Sequence, residues 1–537
     1  MTPSPDRFIL TGALVADGLG NPLEARDVAV SEGLIARLPG PDADWPRIDL
    51  AGLVLSPGFV DIHTHSDLTL LSSPTAPSAV HQGTTTQVVG NCGLGLTPQI
   101  AGGPTTPDEL RGVNSYLDHD PAVATDWPRL SDQLEAWRRA RPSINVATLV
   151  AHIPLHAATA GLADEPADPD QIAGMVALAH QALDDGAVGI STGLIYAPLC
   201  FAHEDELLAL GRVAAERDVL FAWHILDYID DLLPSLEQAV RVARATGCRV
   251  QISHLQVVGQ RNWPVFDRVL DLIDGARAEG LDLAFDMYPY LAGNSMLTQV
   301  LPSWAQSGGH EGVRAMLLRH ETRARVREEI LIPPGMAFGW DEVLIASAPD
   351  PSVVGRTVEW IATDRGLAPV DAALDLLAEH GTEILMTAFG RSSEVLGRTF
   401  AHPGCIVASD GQAIDPDGPT GRQQPHPRSY GCFPQFLSQR FRASIGLDLP
   451  EAIRRCTSAP ADRVGLRDRG RIAVGLPADL VAFDPETLAD RASYTDPQIF
   501  PAGIAGVWVN GVRAVADGEH TGARSGRVLV PHTEPVS

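Results

Sequence analysis

Eight short apolar runs, at 58–63, 85–91, 145–151, 187–192, 219–223, 249–253, 282–287 and 404–409, divide the middle of this chain. Several intervals between them carry apolar residues at helical spacing, as at 170–185, 203–216, 233–246 and 265–279. Short apolar runs bounded by polar residues read as strands buried on both faces, and the intervals as amphipathic helices. Parallel strands need such crossovers, so the alternation predicts an α/β fold. About eight units fit a closed (β/α)8 barrel of the TIM type, whose chemistry gathers at the C-terminal strand ends. An open doubly wound sheet is the alternative, but no Gly-x-Gly-x-x-Gly follows an early strand.

The two ends of the chain are patterned differently. Phe8-Ile9-Leu10, Asp27-Val28-Ala29-Val30 and Leu34-Ile35-Ala36 read as short antiparallel strands between Gly and Pro turns. Asp479–Phe483 and the run Gly506–Val512 read the same way, the latter turning at Asn510-Gly511. The expectation is a small β-sandwich or barrel domain made from both termini, residues 1–55 and 466–537. The catalytic barrel then spans 56–465, with an insertion within 292–403 that contains an extra strand at Glu383–Met386.

Composition narrows the function. A net charge of -27 argues against nucleic acid and anionic membrane surfaces as partners; the expected partner is a small-molecule substrate. No apolar run reaches membrane-spanning length, and the N-terminus lacks a basic segment followed by an apolar core. Cysteines 92, 200, 248, 405, 432 and 456 form no Cys-x-x-Cys pair, as expected of reduced thiols in a cytoplasmic protein. All 40 basic residues are arginine. Without lysine, Schiff-base chemistry, a lysine base and a carbamylated-lysine metal bridge are excluded. Whether the chain is a monomer or a homo-oligomer is left open.

The polar residues at the strand ends form a pattern. The first strand ends in His63-Thr64-His65, and residues two apart on a strand share a face. The second runs into Cys92, the fifth ends in His224, the sixth in His254 and the last in Asp410. Taken singly, each has a structural explanation: a satisfied barrel histidine, a small buried thiol, a turn-capping aspartate. Taken together, they would converge on one mouth in a closed barrel. Imidazole, thiolate and carboxylate then make a donor set suited to zinc.

Gly58-Phe59-Val60-Asp61-Ile62-His63-Thr64-His65 resembles the first-strand motif of the amidohydrolase superfamily. Gly90-Asn91-Cys92-Gly93, residues 189–198, Ile252-Ser253-His254-Leu255, Asp286-Met287-Tyr288-Pro289-Tyr290, Ala408-Ser409-Asp410-Gly411 and His426-Pro427-Arg428 resemble its N-acyl-D-amino-acid deacylase (D-aminoacylase) branch. The resemblance covers nearly the whole chain. It implies that Cys92 replaces the bridging lysine and, with His224 and His254, holds a tight zinc. His63, His65 and Asp410 are implied as a weaker second metal site. Asp410 is implied as general base and then general acid, Arg428 as the cation for the substrate's carboxylate, and Tyr196 and Tyr288 as pocket walls.

This chain also departs from that branch. Gln256 stands where a lysine is common, Asn294 where a serine is common, and His224-Ile225-Leu226-Asp227-Tyr228 replaces a more charged pattern. The expected substrates are therefore N-acyl-D-amino acids with a bias to apolar ones. Three other readings stand beside this one. Another C–N bond could be cleaved on the same scaffold, such as an L,D-dipeptide, hydantoin, cyclic imide or carbamate. Gly189-Ile190-Ser191-Thr192-Gly193 formally matches a serine-hydrolase elbow, although no helix start follows it. A non-catalytic binding protein is the third, and such a protein usually loses ligands that this chain keeps.

Overall fold

The alternation of apolar runs and helices folds into a closed ring of parallel strands in the computed structural model, which describes residues 6–117, 120–330 and 339–531. The ring strands are β1 (Phe59–Asp61), β2 (Thr84–Val89), β3 (Asn145–Thr148), β4 (Gly189–Gly193), β5 (Leu220–His224), β6 (Arg249–Ile252), β7 (Leu283–Met287) and β8 (Cys405–Val407). Neighbours pair parallel around the ring. At Leu149 the third strand shifts partner. Asn145–Thr148 pairs with β2, and Val150–Ala151 pairs with β4. Beyond β8 the ring closes through a parallel bridge between Thr64 and Gly411 and a 2.9 Å bond from Asp410 N to His63 O. Every residue of β2, β4, β5 and β7 is buried, as expected of strands covered by helices.

The predicted helices form within a residue or so of their expected bounds. Pro169–Asp185 starts at Asp168, whose carboxylate accepts from the backbone N–H groups of Asp170 and Gln171, and stops at Gly186. It buries Met175, Ala179, Ala182 and Leu183, one stripe of its surface. Glu204–Glu216, Leu232–Thr246 and Phe266–Ala278 follow the next three strands. Among the described residues no helix is long and apolar enough to cross a membrane.

Between β7 and β8 lies a separate three-stranded antiparallel sheet. Leu385–Phe389 is its central strand, flanked by Ala292–Met296 and Val343–Ser347. The extra strand expected at Glu383–Met386 is thus real but begins later, after the turn that follows the helix Pro369–His380. This sheet has its own apolar cluster, including Leu297, Ile345, Leu374 and Ile384. Gly293, Asn294, Met386 and Ala388 of this sheet line the main cavity, so the insertion helps to build the site.

Both termini share sheets. A seven-stranded sheet joins Leu14–Val15 and Val54–Pro57 to Leu480–Phe483, Ile504–Val509 and Val512–Ala516. The last two form a hairpin in which Asn510 and Gly511 both have positive φ (49° and 78°), the geometry that Asn-Gly favours. Phe8, Leu10 and Val30 pack with Leu480, Ala482 and Trp508 in one cluster. The final described stretch leaves this region. Val528 bridges Val146 of β3, and Leu529 packs with Val60 and Val88.

Candidate functional site

The strand ends do converge. Sγ of Cys92 lies 3.2 Å from Nε2 of His63, 3.4 Å from Nδ1 of His224 and 3.6 Å from Nε2 of His254. Oδ1 of Asp410 lies 3.0 Å from Nε2 of His65 and 3.4 Å from Nε2 of His63. All six side chains are buried. Two ligand-like triads result, His63/Cys92/His254 and His63/His65/Asp410, and they share His63. The thiol lies as near to His63 as to the two histidines expected to share its metal. The two expected metal sets therefore form one contiguous cluster.

Aiming these groups inward requires unusual backbone. Cys92, His254 and Asp410 all have positive φ, at 55°, 34° and 51°. Side-chain-bearing residues held there cost roughly 1–3 kcal/mol each and cluster at functional sites. The Cys92 turn is braced from β4. The Ser191 hydroxyl donates to the carbonyl of Gly90 and accepts from Gly93 N. Gly193 allows the close approach, because a Cβ there would lie 1.9 Å from the carbonyl oxygen of Cys92. Ser191 is therefore a brace in mid-strand. It does not sit on a strand-to-helix turn, and the serine-hydrolase reading fails on geometry.

Burial prepares three of the four imidazoles as ligands; it also pulls His63 down, but Cys92, Asp286 and Asp410 outweigh it there and hold that ring well above the usual range. Burial pulls His224 down to about 3 and His65 down to about 4, and it drives His254 well below the usual range. Neutral imidazole is the metal-binding form. Burial also pushes the Cys92 thiol up to about 11, so its thiolate needs a nearby cation. His224 Nε2, His254 Nδ1 and His65 Nδ1 are buried with no hydrogen-bond partner. Packed neutral nitrogens around an unfavoured thiolate, with a carboxylate opposite, fit a zinc-type ion by donor chemistry.

Asp286, on β7, is a further residue of the site, to which the sequence motif Asp286–Tyr290 assigns no role. Its Oδ1 accepts from His63 Nδ1 (3.1 Å) and from His254 N (2.8 Å), and its Oδ2 accepts from Gln251 Nε2 (3.0 Å). A carboxylate only accepts, so the His63 proton sits on Nδ1 and Nε2 is left to face the thiol. Its position at a strand end, in line with the other polar residues, was the available signal.

Arg428 is buried beside the general-base candidate. Nη1 lies 2.8 Å from Oδ2 of Asp410, and Nη2 donates to the Tyr116 hydroxyl at 2.7 Å. Burial pushes the Asp410 carboxyl up, but Arg428, His63 and His65 outweigh it and hold the group well below the usual carboxylate range. Arg428 lines a recess of about 30 Å³ with Tyr116, Asn294 and Asp410, beside the main cavity.

The main cavity, about 470 Å³, opens onto His65, His224, His254 and Asp410. That volume suits a small organic ligand. Tyr196, Tyr288, Gln256 and Asn294 all line it, as expected. The Tyr196 ring sits 4.9 Å from His224, and Asn294 Nδ2 donates to Thr387 Oγ1 (3.3 Å). The buried Oε1 of Gln256 has no hydrogen-bond partner. Much of the wall is apolar, with Ile195, Leu226, Val258, Leu301 and Met386. Arg391, from the inserted sheet, lines it too and was not anticipated from the sequence.

Comparison with known proteins agrees with this geometry. The amidohydrolase family model matches residues 47–262 and 411–515. The chain is 34% identical to an N-acyl-D-aspartate deacylase of Alcaligenes xylosoxydans xylosoxydans, over 98% of this chain and 96% of that protein. It is 32% identical to a D-aminoacylase of the same organism, over 98% of each. Among solved structures, an N-acyl-D-glutamate deacylase from Bordetella bronchiseptica superposes with a TM-score of 0.81. That pair is 32% identical over 97% of this chain and 99% of the other. The Bordetella structure holds zinc and a phosphonate inhibitor that mimics the reaction's tetrahedral intermediate.

Proposed function

This chain belongs to the amidohydrolase family, and we propose that it hydrolyses the amide bond of N-acyl-D-amino acids, releasing a carboxylate and a free D-amino acid. The observation that carries the reading is the meeting of Cys92, His63, His224 and His254 with Asp410 beside a cavity of substrate size. Cys92, His224 and His254 are proposed to hold a tightly bound zinc, and His63, His65 and Asp410 a weaker second site. Zinc bound there polarises the scissile carbonyl and lowers the pKa of water toward neutrality.

The side chains do the rest. Asp410 is ionised under the influence of Arg428, so its carboxylate can take the proton of the attacking water and return it to the leaving nitrogen. Asp286 fixes the His63 ring. Arg428 is proposed to contact the substrate's free carboxylate from its recess. The apolar wall favours apolar side chains, and the neutral Gln256 adds no charge to it. Tyr196 and Tyr288 bound the acyl or side-chain space.

The test is a chiral hydrolysis panel with and without added zinc. It should contain N-acyl-D- and L-amino acids, L,D-dipeptides and hydantoins. The expected result is turnover of N-acyl-D-amino acids, faster for leucine, methionine or phenylalanine than for aspartate or glutamate. Preference for the acidic substrates would sink the apolar bias, and exclusive turnover of hydantoins or dipeptides would sink the deacylase reading.

A further inference from the structure

Arg391 brings a guanidinium to the main cavity, and the proposed chemistry leaves it unused. It stands just past Leu385–Phe389, half-buried, with its guanidinium facing the same space as His254 and Asp410. Its hydrogen bonds go to neutral oxygens. Nη1 donates to Ala292 O (2.7 Å) and Tyr290 O (3.3 Å), and Nη2 donates to the Tyr288 hydroxyl (2.6 Å). Among the described residues no carboxylate lies within ion-pair distance of it. Arg428, by contrast, is already paired with Asp410.

The position is built. The carbonyl of the preceding Gly390 accepts from Gly259 N (2.8 Å) and Trp263 Nε1 (3.4 Å), which ties the inserted sheet to the loop after β6. The guanidinium lies 4.7 Å from the Tyr288 ring centroid. It presses on Gly293, where a Cβ would come within 2.7 Å of Nη2. A planar cation is thus held rigidly, without a counter-ion, in an otherwise largely apolar cavity. Desolvating a charge without pairing it is costly, and a carboxylate is the ligand that a guanidinium fork fits best.

We propose that Arg391 binds the free carboxylate of the substrate from within the cavity as a second cation beside Arg428, each guanidinium lying over the Tyr288 ring, and supplies there the positive charge that Gln256 lacks. This rests on the deacylase reading above. Arg391 acts on specificity: it selects acyclic substrates that keep a carboxylate and orients them against the zinc-binding cluster, with no part in proton transfer.

The experiment compares N-acetyl-D-leucine with its C-terminal amide in zinc-loaded wild type, Arg391→Ala, Arg391→Lys and the double variant Arg391→Ala/Gln256→Lys. For the acid, Arg391→Ala should raise KM roughly tenfold to a hundredfold while kcat changes by less than about threefold. For the amide, KM should not move. Arg391→Lys should fall between wild type and alanine, and Gln256→Lys should recover part of the loss, because lysine there places an ammonium in the same cavity. Thermal melts identify any variant that fails to fold, and Arg391→Lys then carries the comparison. An unchanged KM for the acid overturns the proposal, as does an equal rise for acid and amide. A wild-type protein inactive on every N-acyl-D-amino acid overturns the deacylase reading itself, and this proposal with it.

Discussion

Nη1 of Arg428 lies 2.8 Å from Oδ2 of Asp410, and both side chains are buried. The contact is close in charge but is not aligned as a hydrogen bond, since Nη1 has no hydrogen-bond partner. The pair couples the group proposed to move protons to the group expected to read the substrate.

Asp410→Asn keeps the shape and removes the base. Turnover should fall at least about a thousandfold, while zinc bound by Cys92, His224 and His254 stays near one equivalent. Metal analysis beside steady-state kinetics checks both halves. Activity near wild type would remove Asp410 from the mechanism.

Arg428→Ala should raise KM for carboxylate-bearing substrates. It also leaves Asp410 buried without its cation, so stability should drop by about 3–5 kcal/mol. Urea unfolding measures the second effect. A variant as stable as wild type would mean that water or a metal ion already balances Asp410.

Cys92→Ala removes the atom on which three imidazoles converge. We expect zinc content to fall well below one equivalent and activity to vanish with it, with little recovery on adding zinc. Cys92→Ser should behave in the same direction but less severely, since a hydroxyl is a poorer zinc ligand than a thiolate. Full zinc in the alanine variant would show that the thiol is packing and not ligation.

Asp286 is buried and does not line the main cavity. It orients His63 through a 3.1 Å bond, and outer partners of this type are worth roughly 10–100-fold in metal affinity. Competition of Asp286→Asn against a chelator should therefore show weaker zinc binding, with KM little changed.

A second buried cluster supplies a pH test away from the site. Oε1 of Glu206 lies 2.6 Å from His152 Nε2 and 2.9 Å from His156 Nδ1. Burial pushes the Glu206 carboxyl up, but His152 and His156 outweigh this and hold it at about 2, against an ordinary 4.5. A depressed folded value stabilises the protein above pH 4.5, and that contribution is lost as pH falls toward about 2. Glu206→Gln should thus be less stable at neutral pH, by about 3 kcal/mol, and the gap to wild type should narrow below pH 4.5. A gap that stays constant with pH would assign the loss to packing.

The barrel strands and most site residues were legible because their signals are local. An apolar run that ends in histidine or aspartate says which way the chain points and what it carries, as at His224, His254 and Asp410. Cys92 was legible through the family resemblance of Gly90-Asn91-Cys92-Gly93, with which the absence of lysine agrees. Asp286 was visible but mute, since nothing nearby in sequence says that it grips His63. Arg391 was invisible, because it comes from an inserted sheet whose path over the mouth no periodicity encodes. The serine motif at 189–193 was already weak in the sequence, since no helix start follows it, and β4 runs straight through its residues.

By itself, then, the amino-acid order determined the repeating strand and helix units and the donor atoms each strand would bring. Both depend on residues within a few positions of one another. Only the tertiary structure decided that His63 is shared by the two ligand triads, that Arg428 pairs with Asp410, and that among the described residues no carboxylate lies within ion-pair distance of Arg391. Those relations join residues from distant parts of the chain, and their energies exist only after ring closure has brought the charges together and removed the water between them.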